Sequence, residues 1–206
     1  MDKPFGRADK AKWQTIDSRQ TWPRIHRAVV AGDYEVVRLL LDQGEDPNRR
    51  LRPDIVRKTP LHLACQYRHR RIARLLIDRG ADVNALDVTD EAPIHDAIRH
   101  RDIHMVRLLL DHGADVNVPG CWTWTPVGSV LNAAIAQGFL DIARLLINRG
   151  AIITVQTVEY TMSMQVRGAG RSSQEEMMAL LRERAPEAVM EYWVEQDGGL
   201  QGGPRE

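Results

Sequence analysis

The chain has 206 residues, and its 28 Lys and Arg residues balance 28 Asp and Glu residues, with 43% of positions hydrophobic. This length suits one domain or two small ones, and the charge balance argues against a globally basic nucleic-acid-binding chain and an acidic disordered one. The two cysteines, Cys65 and Cys121, are too few for a disulfide scaffold and indicate a reducing compartment. No signal peptide or membrane span is predicted, so we expect an intracellular protein in the cytoplasm, the nucleus or both.

A single pattern recurs four times along the chain. Each copy joins a short apolar run to a second apolar run that contains Leu-Leu, followed by Gly and, in three copies, by Asn. The copies span Ile25–Asn48, Leu61–Asn84, Ile94–Asn117 and Leu131–Thr154. Successive copies begin 36, 33 and 37 residues apart, so the period is 33 residues with insertions after the first and third copies. Insertions in repeat proteins map to loops on one face, which is often the binding face.

Each copy predicts a pair of short helices. Pro60 and Pro93 are placed to begin a helix, because the first turn of a helix does not need their missing N–H. Apolar residues then recur three or four positions apart, which is typical of one face of a helix. Glycines such as Gly80 and Gly113 follow the second helix and end it. Because one such pair cannot bury its apolar face alone, the units must stack, and the sequence predicts an all-α solenoid.

These copies resemble the ankyrin repeat. Thr59–Ala64 matches the signature T-P-L-H-x-A in full, Ala92–Ala97 reads A-P-I-H-D-A, and G-A-D-V-N occurs at Gly80–Asn84 and Gly113–Asn117. The resemblance implies helix-turn-helix units joined by β-hairpin-like loops. We expect an N-terminal extension or cap over 1–21, four repeats over 22–154 (about 22–50, 58–84, 91–117 and 128–154), a degenerate capping repeat with a C-terminal helix over 155–196, and a disordered tail over 197–206.

Two repeats depart from the pattern at the turn between their paired helices. Gly32 and Gly138 hold this position in the first and fourth repeats, but Arg68 and Arg101 hold it in the middle ones. If these positions adopt the left-handed conformation, each Arg costs roughly 1 kcal/mol relative to Gly. Such a cost is compatible with a functional residue and equally with a modified turn.

The resemblance also implies where a partner would bind. In ankyrin-like stacks, partners meet the hairpin tips and the exposed residues of the first helices. Carried to this sequence, these positions are Gln66, Tyr67, Arg99, His100 and Gln137 on the helices and Arg57 and Glu91 on the tips. We therefore predict a non-catalytic protein-interaction module that acts as a scaffold, an adaptor or a regulatory or inhibitory subunit.

The third hairpin tip carries two tryptophans. Trp122 and Trp124 lie in an inserted, uncharged loop, and tryptophan is common among the residues that dominate binding energy at interfaces. The alternative is that the indoles cover the widened gap between the third and fourth repeats. We expect both to be partner-binding residues, with internal packing as the alternative.

The balanced net charge conceals an uneven distribution. Residues 49–74 contain nine Lys and Arg and one acid, a net charge of +8, whereas residues 172–206 carry −5. The basic region would attract an acidic protein segment, a phosphate or a nucleic acid, or it is simply a solvated face. No nucleic-acid-binding module accompanies it, so the expected partner is a protein with an acidic surface or segment.

An enzyme or small-molecule-binding protein is the alternative function. His100, Glu91, Tyr67 and Arg99 could converge in the concave groove as acid–base groups. No nucleophile elbow, phosphate loop or dinucleotide fingerprint supports this alternative, and we expect neither a metal nor a cofactor.

Asn84 and Asn117 are candidate modification sites. The resemblance to ankyrin proteins implies that Asn residues in such hairpins can be substrates of asparaginyl hydroxylases. The competing interpretation, which we favour, is that each Asn side chain bonds the backbone of the turn.

Overall fold

The computed structural model describes residues 22–51, 56–118, 129–163 and 171–198. Within these residues the chain forms helices joined by loops and contains no strand. The described helices are α1 Arg24–Ala31, α2 Tyr34–Asp42, α3 Pro60–Gln66, α4 Arg70–Asp78, α5 Pro93–Arg99, α6 Ile103–Asp111, α7 Val130–Ala136, α8 Leu140–Asn148, α9 Val155–Ser163, α10 Arg171–Arg184 and α11 Pro186–Gly198. None of the helices in the described ranges is long and apolar enough to cross a membrane.

The helices stack in two parallel rows. The inner row runs α1, α3, α5, α7, and the outer row runs α2, α4, α6, α8, with each inner helix also packed on the outer helix that follows it. Next, α9 packs on α7 and α10 on α8, so this pair continues both rows, and α11 packs on α9 and α10. The all-α solenoid predicted from the repeat period is therefore confirmed.

Buried histidines link the first two inner helices to the repeats that follow them. The Nδ1 of His62 accepts a hydrogen bond from the Thr59 N–H at 3.2 Å, and its Nε2 donates to the Glu91 carbonyl at 3.0 Å. The second bond joins the second repeat to the loop that opens the third. His26 reaches the Lys58 carbonyl with its Nε2 at 3.3 Å in the same way. These bonds explain why a neutral imidazole occupies this position of the repeat.

The turn between paired helices is left-handed in all four repeats. The φ angles are 75°, 61°, 49° and 69° at Gly32, Arg68, Arg101 and Gly138. Both arginines reach toward the next repeat: Arg68 lies 3.8 Å from the Asp102 carboxylate, and the Arg101 guanidinium lies 5.2 Å from the centre of the Phe139 ring. These contacts between repeats support the modified-turn interpretation of the two arginines.

Asparagines at the outer loops connect successive repeats. The Asn84 side chain donates to the Gly113 carbonyl at 3.0 Å and accepts from the Asp115 N–H at 2.8 Å. Asn117 makes the same pair of bonds to the carbonyl of Gly150 and the N–H of Ile152. Both amides therefore do bond backbone, but the backbone of the following repeat.

The C-terminal helix differs from the expectation at its end. It continues to Gly198, so residues 197 and 198, expected in a disordered tail, are helical. Val189 is buried and Tyr192 packs against the core, which anchors α11 before this point. The expected extension over 1–21 and residues 199–206 of the expected tail lie outside the described residues.

Candidate functional site

The exposed ends of the inner helices line one side of the solenoid. Tyr67, His100 and Gln137 each cap the C-terminus of an inner helix, directly after Gln66, Arg99 and Ala136. Because the repeats stack in register, the residues at these helix ends form a row. We call it the groove row, and it consists of Gln66, Tyr67, Arg99, His100, Ala136 and Gln137. The predicted helix positions therefore lie at equivalent places in successive repeats, and most of the other residues of these inner helices are buried in the core. In α5, for example, every residue except Arg99 is buried.

An ion-pair network lies beneath the groove row and joins the second repeat to the third. The Asp96 carboxylate is 1% exposed, and the Lys58 Nζ donates to both of its oxygens at 2.9 Å. Arg99 donates to Asp96 and to Glu91, at 2.7 Å each. Lys58 also lies 3.4 Å from the side-chain oxygen of Gln66. A buried carboxylate needs such partners, because an unpaired one would cost several kcal/mol.

This network holds groove-row side chains in fixed positions. Although burial lowers the pKa of Arg99, the hydrogen bond to Glu91 and the charges of Asp96 and Glu91 raise it overall, so the guanidinium is charged and tethered. Asp96, the centre of this network, is not among the site residues predicted from the sequence. A signal was available, because the corresponding position is apolar in the second and fourth repeats, as Leu63 and Ala133.

A second buried acid neutralises part of the basic region. The Asp102 carboxylate accepts from the Met105 N–H at 3.0 Å and from the Arg70 Nε at 2.9 Å, with Arg68 at 3.8 Å. The net +8 counted along residues 49–74 is therefore too high for the surface, since acids of the third repeat pair with Lys58, Arg68 and Arg70. Within residues 49–74, five exposed arginines have no carboxylate partner among the described residues: Arg49, Arg50, Arg57, Arg71 and Arg74.

Tyr67 borders a small pocket in the groove. Its ring stacks on His69 with a centroid distance of 6.2 Å and an angle of 14°. The pocket has a volume of about 80 Å³ and is lined by Trp22, Leu51, Val56, Lys58, Leu63, Gln66 and Tyr67. Arg57, between two of these residues in sequence, is exposed and has a φ of 46°. We call this the Tyr67 pocket.

The four residues of the enzyme alternative are only partly brought together. Glu91 and Arg99 form an ion pair, while Tyr67 and His100 cap neighbouring helices. Burial lowers the pKa of His100. The lining of the Tyr67 pocket includes Tyr67 but not the other three residues, so it does not gather an acid, a base and a substrate cavity at one point.

Both tryptophans of the third hairpin tip lie outside the described residues, as does Cys121. The assignment of Trp122 and Trp124 as partner-binding residues therefore stays a prediction. Gln137, the groove-row residue of the fourth repeat, is exposed.

Comparison with known proteins agrees with the repeat architecture. A family model described as ankyrin repeats (3 copies) matches residues 25–120 and 90–157. The chain is 41% identical over 81 residues to mouse protein phosphatase 1 regulatory subunit 27, which covers 39% of this chain and 50% of that protein. The human protein of that name is 44% identical over 61 residues, 30% of this chain and 38% of that protein. A putative ankyrin repeat protein of fowlpox virus is 37% identical over 78 residues, 36% of this chain and 17% of the viral protein. The match thus spans half of the mouse relative and less of the other two.

Proposed function

This chain belongs to the ankyrin-repeat family, and we propose that it is a non-catalytic module that binds another protein through its groove row and hairpin tips. The observation that carries the proposal is the groove row itself. Chemically varied side chains end helices that are otherwise buried, on a stack whose repeats are joined by hydrogen bonds and ion pairs. In such solenoids the extended concave surface is the part available for binding.

The groove row suits recognition because its side chains are held before a partner arrives. Arg99 is fixed by two carboxylates and Tyr67 by ring stacking on His69. A preordered side chain loses less conformational freedom on binding, so more of its contact energy contributes to affinity. Tyrosine and arginine are also enriched among the residues that dominate interface energies.

The partner we propose is a protein phosphatase catalytic subunit, which this module would scaffold or inhibit. Two relatives carry the name protein phosphatase 1 regulatory subunit 27. In the present chain, the ankyrin-repeat family model matches residues from 25 to 157, which is most of its length. The support for a phosphatase partner is similarity over half of the mouse protein. The general proposal of protein binding rests on the groove row and does not depend on this partner.

Two triple variants at equivalent repeat positions test the proposal. The groove variant combines Tyr67→Ala, His100→Ala and Gln137→Ala. The control combines Arg74→Ala, Arg107→Ala and Arg144→Ala, three exposed arginines of the outer helices that have no ion-pair partner in the described part of the chain. Circular dichroism and melting curves of both variants verify folding.

Binding to purified protein phosphatase 1 catalytic subunit is measured by calorimetry, and other partners are identified by quantitative affinity capture. We expect the groove variant to lose at least tenfold in affinity and the control less than twofold. Equal losses, or a loss confined to the control, would place the binding surface elsewhere. Failure of the phosphatase to bind, with another protein captured through the groove, would overturn only the proposed partner.

A further inference from the structure

The Tyr67 pocket has the size of a site for one side chain. Its volume is about 80 Å³, whereas pockets for drug-sized ligands are about 300–1,000 Å³. Two aromatic residues, Trp22 and Tyr67, and the buried Leu51 and Leu63 form much of its wall. Such a pocket suits an apolar side chain presented by an extended segment of another protein.

The surroundings of the pocket are basic. No acid is present in the described lining, and its cation, Lys58, already binds Asp96. Arg57 lies between two lining residues in sequence, and Arg68 directly follows Tyr67. Arg68 is paired with Asp102, so the free positive charge that a partner segment meets beside the pocket is that of Arg57, which is exposed and has no carboxylate partner among the described residues.

A second basic surface continues beyond Tyr67. The ring of His69, stacked on Tyr67, borders an open pocket of about 440 Å³ that Tyr34, Arg68, Arg70 and Arg71 also line. Arg70 is neutralised by Asp102, but Arg71 is exposed, has no carboxylate partner within the described ranges, and lies 4.7 Å above the Tyr34 ring. The Tyr67–His69 stack thus separates an apolar pocket from a cationic one.

We infer that the partner binds here through an acidic linear segment that places one apolar side chain in the Tyr67 pocket and carboxylates against Arg57 and Arg71. This inference rests on the proposed function and names the chemistry of the segment that the groove row recognises. The apolar anchor supplies most of the affinity, and the surrounding charges set orientation and association rate. Because those charges are exposed, salt weakens binding.

A displayed library of random 16-residue peptides, selected on the full chain, tests the inference. We expect the enriched peptides to share one large apolar residue flanked by Asp or Glu. A fluorescein-labelled enriched peptide is then titrated against the wild type and against Arg57→Glu/Arg71→Glu, which we expect to bind at least tenfold more weakly. The matched control, Arg74→Glu/Arg107→Glu, makes the same change of charge on outer helices and is expected to bind within twofold of the wild type.

Two further measurements probe the anchor and the charge separately. Replacing the apolar residue of the peptide by Ala should weaken binding at least tenfold, and raising the salt from 50 to 500 mM should weaken it severalfold. A labelled single-stranded oligonucleotide of equal negative charge should bind more weakly than the peptide, because it offers no apolar anchor.

Enriched peptides without acids, binding insensitive to the Arg57/Arg71 reversal, tighter binding of the oligonucleotide, or no enrichment at all would each overturn the inference. These results are distinguishable from failure of the proposed function. If the groove triple variant still loses its captured partner, the protein-binding role stands and only the acidic segment is wrong. If that variant retains its partner too, both proposals fail.

Discussion

Acidification should destabilise this solenoid through its buried repeat histidines. His26 and His95 are fully buried, and burial, partly offset by backbone hydrogen bonds, lowers the pKa of each from 6.5 to about 4. Burial also lowers the pKa of His62. Between pH 6.5 and 4 the unfolded chain therefore binds protons that the folded chain does not. The stability contributed by the neutral histidines is complete above pH 6.5 and falls as the pH falls through this window.

The size of the effect follows from the pKa difference. A group with a pKa of 6.5 unfolded and about 4 folded loses roughly 2 kcal/mol of folding stability between pH 7.5 and 5.0. His26 and His95 together contribute roughly 4 kcal/mol at pH 5.0, and His62 adds to this. Because small domains are stable by only about 5–15 kcal/mol, the loss should be easy to measure.

Urea unfolding followed by circular dichroism, at constant ionic strength from pH 5.0 to 7.5, measures this dependence. The chain supplies its own matched substitution, because Asn132 holds the histidine position in the fourth repeat and accommodates the same helix start. His26→Asn should reduce the stability difference between pH 7.5 and 5.0 by roughly 2 kcal/mol. His104→Asn, at an exposed site of α6, is the control. Equal stability at both pH values, or an unchanged pH dependence in His26→Asn, would refute the reasoning.

Three further predictions concern the contacts that join the repeats and the left-handed turns within them. The free energy of unfolding in urea is measured for each variant. Asp96→Ala should cost about 3–5 kcal/mol by leaving two cations without their carboxylate, and adding Lys58→Met should restore part of it; no recovery would contradict the pairing. Asn84→Ala should cost about 1–3 kcal/mol, because two backbone groups of the next repeat lose their partner; a change below 0.5 kcal/mol would be inconsistent with that role. Arg68→Gly should stabilise the folded chain by up to about 1 kcal/mol, because a φ of 61° favours glycine. Gly32→Ala should destabilise it, because φ is 75° there and a Cβ would lie 2.8 Å from the His69 ring. Changes of the opposite sign would refute the strain argument.

The repeat period carries most of the fold, because it constrains the same residue types at the same positions in every unit. The prolines of α3 and α5 and the left-handed glycines of the turns identify helix starts and ends from local chemistry alone. The groove positions Tyr67, His100 and Gln137 follow from register, since one repeat places them in all others. Each of these positions can therefore be identified from several repeats of the sequence.

The ion pairs between repeats could not be read in this way. Lys58 and Asp96 are 38 residues apart, and neither recurs at its position in the other repeats. Charge counted along the chain therefore assigned Lys58 and Arg70 to a free basic surface, although carboxylates of the next repeat bind them. Pairing across a stack depends on which residues face each other, and that is a property of the packed structure.

Site-specific photo-cross-linking tests the central claim, that the groove row contacts a protein, most directly. The photo-reactive residue p-benzoylphenylalanine replaces Tyr67 in one version of the chain and the outer-helix residue Arg107 in another, and both are irradiated in the native cell. We predict a discrete cross-linked protein from position 67 and none from position 107. Cross-links from position 107 alone, or from neither position while the chain is folded and expressed, would contradict the account.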